Sequence, residues 1–452
     1  MSFEIVVDKI DEFKALIEND NKKEVIAIID DMHPADIAEM MDHLNIEEAT
    51  YIYLLLEGEK ASDVLVEIDE DDRRRFLKVL PPELIASKFI EHMDSDDAAD
   101  IVAELDEETQ REVLNEIEDT EQAGDIVDLL EYEEDSAGGI MAKELVKVNE
   151  NWSVATCLRE ISKQAEEVDE IFYIYVTDDE DRLKGILSLK KLILNHTNTK
   201  VSKIYNPDVQ KVTTGTRQEE VAELMDKYDL VAVPVVDEIG RLKGRITWDD
   251  VIDIVREEAE RDYQLVSGLT GDVEPGDRIM QLMKARFPWL LIGLLGGILG
   301  AVVLRTHEES LARVTQLAFF IPLIAAMAGN VGVQSSSIVV QSIASGVKET
   351  ETIWRRLLKD VAVALLTAMI FAILIFVYNY FTAGDLNLTY SVSISLFIVI
   401  LFASLFGTVI PLVLNRFKID PALATGPFIT TMNDIMGLLI YLMISSFFFD
   451  LL

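Results

Sequence analysis

Five long apolar stretches in the last third of the chain constrain its fold more than any other feature. They cover approximately residues 287–304, 317–344, 358–381, 392–414 and 425–452. A helix needs roughly 20 mainly apolar residues, at about 1.5 Å per residue, to cross the ~30 Å hydrocarbon core of a bilayer. The pattern therefore predicts five membrane-spanning helices, the second of which is long enough to be broken or tilted.

Basic residues between these stretches predict the orientation of the chain. One side of the membrane would hold Lys284, Arg286, Lys348, Arg355, Arg356, Lys359, Arg416 and Lys418. The other side would hold only Arg305 and Arg313. Because short cytoplasmic loops are enriched in Lys and Arg, we expect a multi-pass protein of the cell membrane with its N-terminal half in the cytosol and its C-terminus outside.

Polar residues interrupt two of the predicted spans. In the second span they are Asn330, Gln334, Ser335, Ser336, Ser337, Gln341 and Ser342, and in the fifth they are Thr430, Thr431, Asn433 and Asp434. Asp434 is the only carboxylate well inside any span. Polar groups at membrane depth usually face a bundle interior or water, so Asp434 is the prime candidate for a cation path. The alternative is an aspartate hydrogen-bonded to Asn330 or Gln334 that joins two helices.

The two halves of the chain differ strongly in charge. Residues 287–452 carry a net charge of -1, whereas residues 1–286 carry -40. Such a surface concentrates cations and does not favour nucleic acid or anionic lipid, although acidity also serves solubility alone. Carboxylates cluster at Asp94, Asp96, Asp97 and Asp100, and again at Asp249, Asp250, Asp253, Glu257, Glu258, Glu260 and Asp262. Magnesium and calcium prefer such oxygen ligands.

Residues 142–262 contain an internal repeat with an offset of 59 residues. The segment from Tyr173, YIYVTDDEDRLKGILSLKKLI, matches the segment from Ala232, AVPVVDEIGRLKGRITWDDVI. Each copy follows an amphipathic helix, 154–164 or 218–228, and we expect a turn at the RLKG. The pattern resembles a CBS-domain pair, which often binds adenine nucleotides through a Ser or Thr followed three residues later by Asp. The second copy has Thr247 and Asp250, but the first has Ser188 and Lys191.

Residues 1–135 show apolar residues at three- and four-residue spacing and contain short, irregularly spaced internal repeats, which predicts a helical superhelix. The fold class is therefore a multidomain membrane protein. We expect an acidic helical domain at 1–135, the repeat pair at 136–262, a connecting helix at 263–284 and a five-helix membrane domain at 285–452.

Several other classes are disfavoured. The single cysteine, Cys157, cannot form an internal disulfide, and no signal-peptide pattern is present at the N-terminus. The histidines are too far apart for a zinc site. The sequence contains no P-loop motif, so ATP-driven pumping is not expected. It also shows no arrangement of a nucleophile with a general base, so an enzyme is not expected.

The order of domains, the segment GNVGVQS at 329–335 and the run IDPALATGPFITTMNDIMGLL from Ile419 resemble the MgtE family of magnesium channels over nearly the full length. The resemblance implies a homodimer, in membrane lipid, with its pore on the two-fold axis between the second and fifth spans. Asp434 matches the selectivity aspartate and Asp420 a second ion position at the cytoplasmic mouth. Asn330, Gln334, Thr431 and Asn433 would line the pore.

The resemblance also implies cytosolic magnesium sites that close the pore when internal magnesium is high. Their ligands would be Asp96, Asp100, Gly139 through its backbone, Glu219, Asp226, Asp229, Asp250, Asp253, Glu258 and Asp262. Arg261 departs from the acidic residue expected in the sensor helix. At least one such site is therefore expected to be weakened or absent.

The resulting hypothesis is a potential-driven magnesium channel with magnesium as both substrate and regulator, and with ATP as a candidate ligand of the repeat pair. Two alternatives remain. A single carboxylate does not exclude cobalt, nickel or manganese by ligand type. The spans could also serve only to dimerise a cation or nucleotide sensor.

Overall fold

A computed structural model of the protein describes residues 10, 13–17, 19, 21–41, 43–165, 168, 170–271, 273, 277–344, 353–382, 385–424 and 426–449. The chain divides into two compact units, Met1–Val255 and Arg256–Leu452. The boundary falls inside one helix, so each unit is described separately.

Short helices make up the first part of unit 1. They are α1 (Lys22–Asp30), α2 (Pro34–Met41), α3 (Ile46–Leu55), α4 (Glu59–Val66), α5 (Glu70–Leu77), α6 (Pro82–Lys88), α7 (Ser95–Ala103), α8 (Glu107–Glu116) and α9 (Thr120–Leu129). Side chains cap several of them. Asn45 accepts from the amides of Glu47 and Glu48 at the start of α3, and Asp106 and Asp119 act similarly on α8 and α9. Such caps satisfy amides that have no partner within the helix.

The internal repeat forms two small α/β units, as predicted. The first contains β1 (Val146–Asn149), α10 (Val154–Gln164), β2 (Ile174–Thr177), β3 (Leu183–Leu187) and α11 (Leu189–Leu194). The second contains β4 (Val212–Thr213), α12 (Gln218–Tyr228), β5 (Ala232–Val236), β6 (Leu242–Thr247) and α13 (Trp248–Val266). In each sheet the first two strands are parallel and the last two antiparallel.

The RLKG segments do not form the turns, so that prediction is wrong. Both lie largely in strands, β3 and β6, and the turns precede them. The turns are closed by Asp178, which accepts from the amides of Glu180 and Arg182, and by Asp237, which acts in the same way in the second copy. Gly185 is required for close packing instead, because a Cβ there would lie 2.1 Å from the carbonyl oxygen of Asn206.

The helical segment shares its core with the second repeat. One buried apolar cluster runs from Phe13 through α1–α9 to Val233 and Ile246, whereas the first repeat has a separate core around Val148 and Ile174. A small third cluster with Tyr175 and Val236 joins the two repeats. The helical part and the second repeat therefore fold around common hydrophobic contacts.

Among the described residues, five helices in unit 2 are long and apolar enough to cross a membrane, which confirms the predicted number of spans. They lie in α14 (Ile279–Thr306), α16 (Ile321–Ala344), α17 (Ile353–Thr382), α18 (Leu386–Arg416) and α19 (Pro427–Phe448), with a short α15 (Glu308–Arg313) between the first two. A 3₁₀ turn at Thr315–Phe320 precedes α16, so the long second span is broken at that point. Helix α18 is buried along much of its length, from Leu388 to Pro411.

Within the expected connecting helix at 263–284, α13 runs to Val266, a turn follows, and α14 begins at Ile279, while residues 272 and 274–276 are outside the described part of the chain. The turn includes Gly268 at φ +78, where a Cβ would contact the Pro427 ring. Gly426, at φ +59, lies against the carbonyl oxygen of Val266. Both contacts are within unit 2 and fix the end of α13 against the start of α19.

Candidate ion pathway and acidic sites

Asp434 lies in the middle of α19 beside the backbone of α16. A Cβ added at Gly329 would lie 3.1 Å from Asp434 Oδ1, so the carboxylate packs directly onto that glycine. The side chain remains partly exposed. Among the described residues, no side chain forms a hydrogen bond or an ion pair with Asp434. The hydrogen bond to Asn330 or Gln334, the alternative considered from the sequence, is therefore not formed. An intramembrane carboxylate without a protein partner is the arrangement expected where an ion or water supplies the contact.

Asn330 and Gln334 are four residues apart on α16 and both are exposed at the surface of the single chain. Gln341 continues the same polar stripe two turns further along. Amide side chains at membrane depth are unfavourable against hydrocarbon. This stripe therefore requires water or another protein surface beside it.

Thr431 and Asn433, which are also predicted to line the pore, pack against neighbouring helices within the single chain. A Cβ at Gly296 of α14 would lie 1.9 Å from Thr431 Cγ2, so the threonine methyl packs against α14. Asn433 is fully buried, and its Nδ2 is 1.8 Å from the position of a Cβ on Gly332. Among the described residues neither side-chain polar atom of Asn433 has a hydrogen-bond partner. Helix periodicity explains the placement of Asn433, because a residue directly next to Asp434 faces about 100° away from it.

Asp420 lies between α18 and α19, where its Oδ1 accepts from the amide of Ala422 at 2.8 Å. The side chain is exposed. Burial raises the pKa of Asp262, on α13, and the charge of Asp420 raises it further, while Arg261 opposes the shift. Two predicted ion ligands, Asp262 and Asp420, are therefore close enough in unit 2 to repel each other when both are ionised.

The carboxylates of α7 meet the second repeat within unit 1. Asp96 and Asp97 occupy the first turn of α7, and Asp250 begins α13. Burial raises the pKa of Asp96, and nearby Asp97 and Asp250 raise it further. Burial and then Asp250 raise the pKa of Asp97 to about 7. The predicted ligands Asp96 and Asp250 are thus brought together. Asp100 lies one turn further along α7 at the edge of the same group: burial and then Glu134 raise its pKa to about 7, and Asp250 adds to the shift.

Two further carboxylates belong to this cluster and were not predicted as ligands. One oxygen each from Asp94, Asp96 and Glu144 lie within 4.8 Å of one another, a spacing that could hold a metal ion. The amide and hydroxyl of Ser95 both donate to Glu144, the latter at 2.8 Å. Asp94 was noted as part of an acidic run, but Glu144 lies in an unremarkable segment before β1. No local pattern indicates its contact with α7.

The remaining predicted sensor residues are dispersed. Gly139 lies in a tight turn, with Glu133 O only 2.6 Å from where its Cβ would be. Glu219 forms an ion pair with Arg217. Asp226 and Asp229 lie on the exposed end of α12, and Asp253 is exposed on α13. Glu258 is on the part of α13 that belongs to unit 2.

The candidate nucleotide residues are hydrogen-bonded to each other. Thr247 donates to Asp250 Oδ2 through its amide at 2.9 Å and through its hydroxyl at 2.8 Å. A nearby cavity of about 10 Å³ is lined by Phe172, Tyr173, Tyr175 and Arg245, among others. This volume accommodates one water at most.

Sequence models of three families match the chain. The model of the MgtE divalent cation transporter matches residues 321–444, and that of the MgtE intracellular N domain matches residues 32–135. The CBS domain model matches residues 137–195 and 201–257.

Characterised proteins match over nearly their whole length. The chain is 35% identical over 440 residues to the magnesium transporter MgtE of Thermus thermophilus, covering 96% of each chain. It is 31% identical over 433 residues to the magnesium transporter MgtE of Bacillus subtilis, again covering 96% of each.

Two solved structures resemble the N-terminal half. One is the soluble part of a magnesium transporter, at 30% identity and a TM-score of 0.50, covering 56% of this chain and 99% of that one. The other is the cytosolic domain of the Mg²⁺ channel MgtE in complex with ATP, at 38% identity and a TM-score of 0.50, covering 53% of this chain and 97% of that one.

Proposed function

Because the chain belongs to the MgtE family of divalent cation transporters, we propose that it is a magnesium channel that admits Mg²⁺ down the membrane potential. The observation that carries this proposal is Asp434, a carboxylate inside a bilayer-spanning helix with no hydrogen-bond or ion-pair partner among the described residues. A cation passing the site would supply the missing opposite charge.

Magnesium loses its inner-shell water reluctantly, so Asp434 would hold a largely hydrated ion through its waters. The exposed amides of Asn330 and Gln334 supply further hydrogen-bonding groups for those waters. Asp420 would attract the ion at the cytoplasmic mouth. Thr431 and Asn433 would act by packing α19 against α14 and α16 rather than by touching the ion.

A homodimer is the assembly that the exposed polar stripe favours. In a single chain the amides of Asn330 and Gln334 would face lipid, which is unfavourable. A second copy related by a two-fold axis would enclose the two stripes around water. The distribution of Lys and Arg between the spans supports a cytosolic N-terminal half and an external C-terminus.

The acidic sites of the cytosolic half would close the channel. Asp96 of α7, Asp250 of α13 and their neighbours repel each other when ionised, as their raised pKa values indicate. Bound Mg²⁺ removes that repulsion and favours the packed arrangement of the helical segment on the repeats. High internal magnesium would thereby select a closed state. Asp262 and Asp420 form a comparable pair in unit 2.

ATP is a candidate ligand of the repeat pair, since the related cytosolic domain was solved in complex with it. Thr247 and Asp250 of the second repeat would contact the sugar. In the first repeat Lys191 occupies the position of that aspartate, so one nucleotide per chain is the expected maximum.

Ion flux into liposomes tests the proposal. The full chain is reconstituted with a trapped magnesium indicator, an inside-negative potential is imposed, and influx is compared at low and at millimolar magnesium on the cytosolic face. We expect influx that rises with the potential and falls at high cytosolic magnesium. No influx under any condition would refute the channel and favour a membrane-anchored sensor.

The same liposomes test the broader substrate class. A single carboxylate does not separate Mg²⁺ from Co²⁺, Ni²⁺ or Mn²⁺ by ligand type. Selectivity must therefore come from pore width acting on hydrated ions. Influx of Co²⁺ or Mn²⁺ at rates similar to that of Mg²⁺ would replace the magnesium channel with a general divalent cation transporter.

A further inference from the structure

Arg245 is a buried cation at the contact between the helical segment and the second repeat. It lies in β6, is 6% exposed, and its backbone exchanges hydrogen bonds with Ala142 at 2.8 and 2.9 Å. Its Nη2 is 3.3 Å from Asp94 Oδ2, in the residue that precedes α7. The guanidinium also lies over the Phe172 ring, 5.5 Å from its centroid.

The internal repeat shows that this arginine is not required by the fold of the repeat itself. At the offset of 59 residues, the position of Arg245 corresponds to Ile186 in the first copy. Ile186 occupies the same place in strand β3 and makes the same kind of antiparallel pairing. The second copy therefore carries a cation where the first carries an aliphatic side chain. Only the second copy shares a core with the helical segment.

The surroundings of Arg245 explain how a buried charge is tolerated. Asp94 belongs to the group with Asp96 and Glu144 whose oxygens lie within 4.8 Å of one another. Asp250 is also near, and Arg245 lowers its pKa against the effect of burial. One guanidinium among four carboxylates cancels only part of their charge. A divalent cation can therefore bind to this cluster together with Arg245, because the guanidinium leaves part of the negative charge of the carboxylates unneutralised.

We propose that Arg245 is a resident cation that holds the helical segment on the second repeat when divalent cations are scarce, and so sets how much of this contact depends on magnesium. The inference deepens the proposed function, because it assigns a residue to the regulation of the acidic sites. Without the guanidinium, the repulsion among Asp94, Asp96 and Glu144 would be stronger until a divalent cation bound. With it, part of the contact persists at low magnesium.

Hydrogen exchange on the full chain in detergent tests the proposal. The amides of Ser95, which donates to Glu144, and Lys143, which donates to Ser95 Oγ at 2.8 Å, report directly on the contact. In EDTA we expect Arg245→Met to increase exchange in peptides covering 92–104 and 140–148 by about 10-fold over the unmodified protein. At 20 mM Mg²⁺ the two proteins should exchange alike. Arg245→Lys, which keeps the charge, should restore much of the protection in EDTA.

The matched control is Arg241→Met. Arg241 lies on the same stretch of chain, is exposed, and forms no ion pair among the described residues. It should leave exchange unchanged with and without Mg²⁺. If Arg245→Met exchanges like the unmodified protein in EDTA, Arg245 does not hold the contact and the proposal is wrong. A merely structural role would raise exchange equally in EDTA and in Mg²⁺.

Should Arg245→Met fail to give a monodisperse protein, Arg245→Gln, which removes the charge but keeps a polar side chain of similar length, provides the test. Loss of protection in EDTA that Mg²⁺ reverses supports the proposal, and unchanged protection overturns it. Exchange is measured without ion flux, so its outcome is separate from that of the proposed function. If the protein moves no magnesium in liposomes but shows the expected exchange pattern, the proposed role of Arg245 stands and the proposed channel function is refuted.

Discussion

At the scale of single residues, the two candidate ion sites use carboxylates in opposite ways. Asp434 stands alone in α19 beside Gly329, with no protein group to neutralise it among the described residues. The carboxylates around Asp96 are crowded and raise one another's pKa. An isolated carboxylate suits an ion that binds and leaves, whereas a crowded group suits an ion that cross-links segments of chain.

The first prediction concerns Asp434. Asp434→Asn keeps the shape of the side chain and removes its charge, so we expect magnesium influx in liposomes to fall at least ~10-fold, the change that about 1.4 kcal/mol of lost stabilisation produces. Glu309→Gln, at an exposed carboxylate of α15, should leave influx unchanged. Unaltered flux and ion selectivity in Asp434→Asn would remove this residue from the pore.

The second prediction concerns Asp97, whose pKa burial and Asp250 raise to about 7 from 3.8. The folded state therefore binds more protons than the unfolded state between these values, and stability present at low pH is lost as pH rises through 7. In EDTA, we expect Asp97 to lower the free energy of unfolding of the acidic N-terminal part by at most about 1 kcal/mol from pH 6 to 7, the full linkage value before solvent screening reduces it.

Urea unfolding of the detergent-solubilised full chain at several pH values measures this slope. Asp97→Asn should reduce the slope but not abolish it, because burial and then Glu134 raise the pKa of Asp100 to about 7 as well, while Glu112→Gln, on the exposed face of α8, should leave the slope unchanged. A slope in Asp97→Asn equal to that of the unmodified protein would assign the pH dependence to other groups.

At the scale of elements, three membrane helices cross at points where no side chain fits. A Cβ on Gly407 of α18 would lie 2.3 Å from the carbonyl oxygen of Gly332 in α16. Gly332 in turn receives the buried amide of Asn433 from α19. Small residues at such crossings allow helix backbones to approach closely in a membrane, where packing replaces the hydrophobic effect. This crossing lies next to Asp434 and fixes its position against α16.

The third prediction follows from this crossing. Gly407→Ala forces backbone displacement, and overpacking of this kind destabilises by typically about 1–3 kcal/mol. We expect a lower melting temperature of the membrane part and reduced magnesium influx. Gly124→Ala in α9 is the control, since nothing lies within 4 Å of a Cβ at Gly124, which is outside the membrane helices. Equal melting temperatures for the two variants would contradict the tight crossing.

A substitution at Gly293 tests how two copies of the chain would assemble. Gly293 lies with Gly297 and Gly300 on a face of α14 that has no neighbour within 4 Å of any added Cβ in the single chain. If Gly293→Ala shifts the protein from dimer to monomer while Gly407→Ala does not, this face is part of the subunit contact.

At the scale of the whole molecule, the chain combines units with different sources of stability. Residues 287–452 are almost neutral overall and apolar, whereas residues 1–286 carry a net charge of -40. Self-repulsion in the acidic part weakens its folded state at low ionic strength. A divalent cation that binds only the folded form offsets this repulsion by mass action.

The fourth prediction is therefore a selective effect of magnesium removal. Chelation should lower the melting temperature of the acidic N-terminal part and leave that of the membrane part unchanged. At 100 times Kd, bound Mg²⁺ should restore about 2.7 kcal/mol. NaCl at matched ionic strength serves as the control. It should restore only the part of the stability that is lost to charge repulsion and that salt can screen. If NaCl restores stability as fully as MgCl₂, the acidic clusters act by general screening and hold no specific ion.

The sequence by itself determined the five spans, the duplicated α/β unit, the helical N-terminal segment and the intramembrane carboxylate Asp434. Each follows from a local property of the chain. Apolar length sets a span, periodicity sets a helix, and self-similarity reveals a repeat whatever the surroundings.

The tertiary structure alone decided which of these residues meet. Arg245 and Asp94 are 151 positions apart, and Glu144 joins them from a segment with no motif. Asn433 is adjacent to Asp434 in sequence, yet it is buried against Gly332 instead of lying on an exposed face. Such contacts depend on how helices and sheets pack, which is set by the fit of surfaces far apart in the chain and leaves no signal in any short stretch of it.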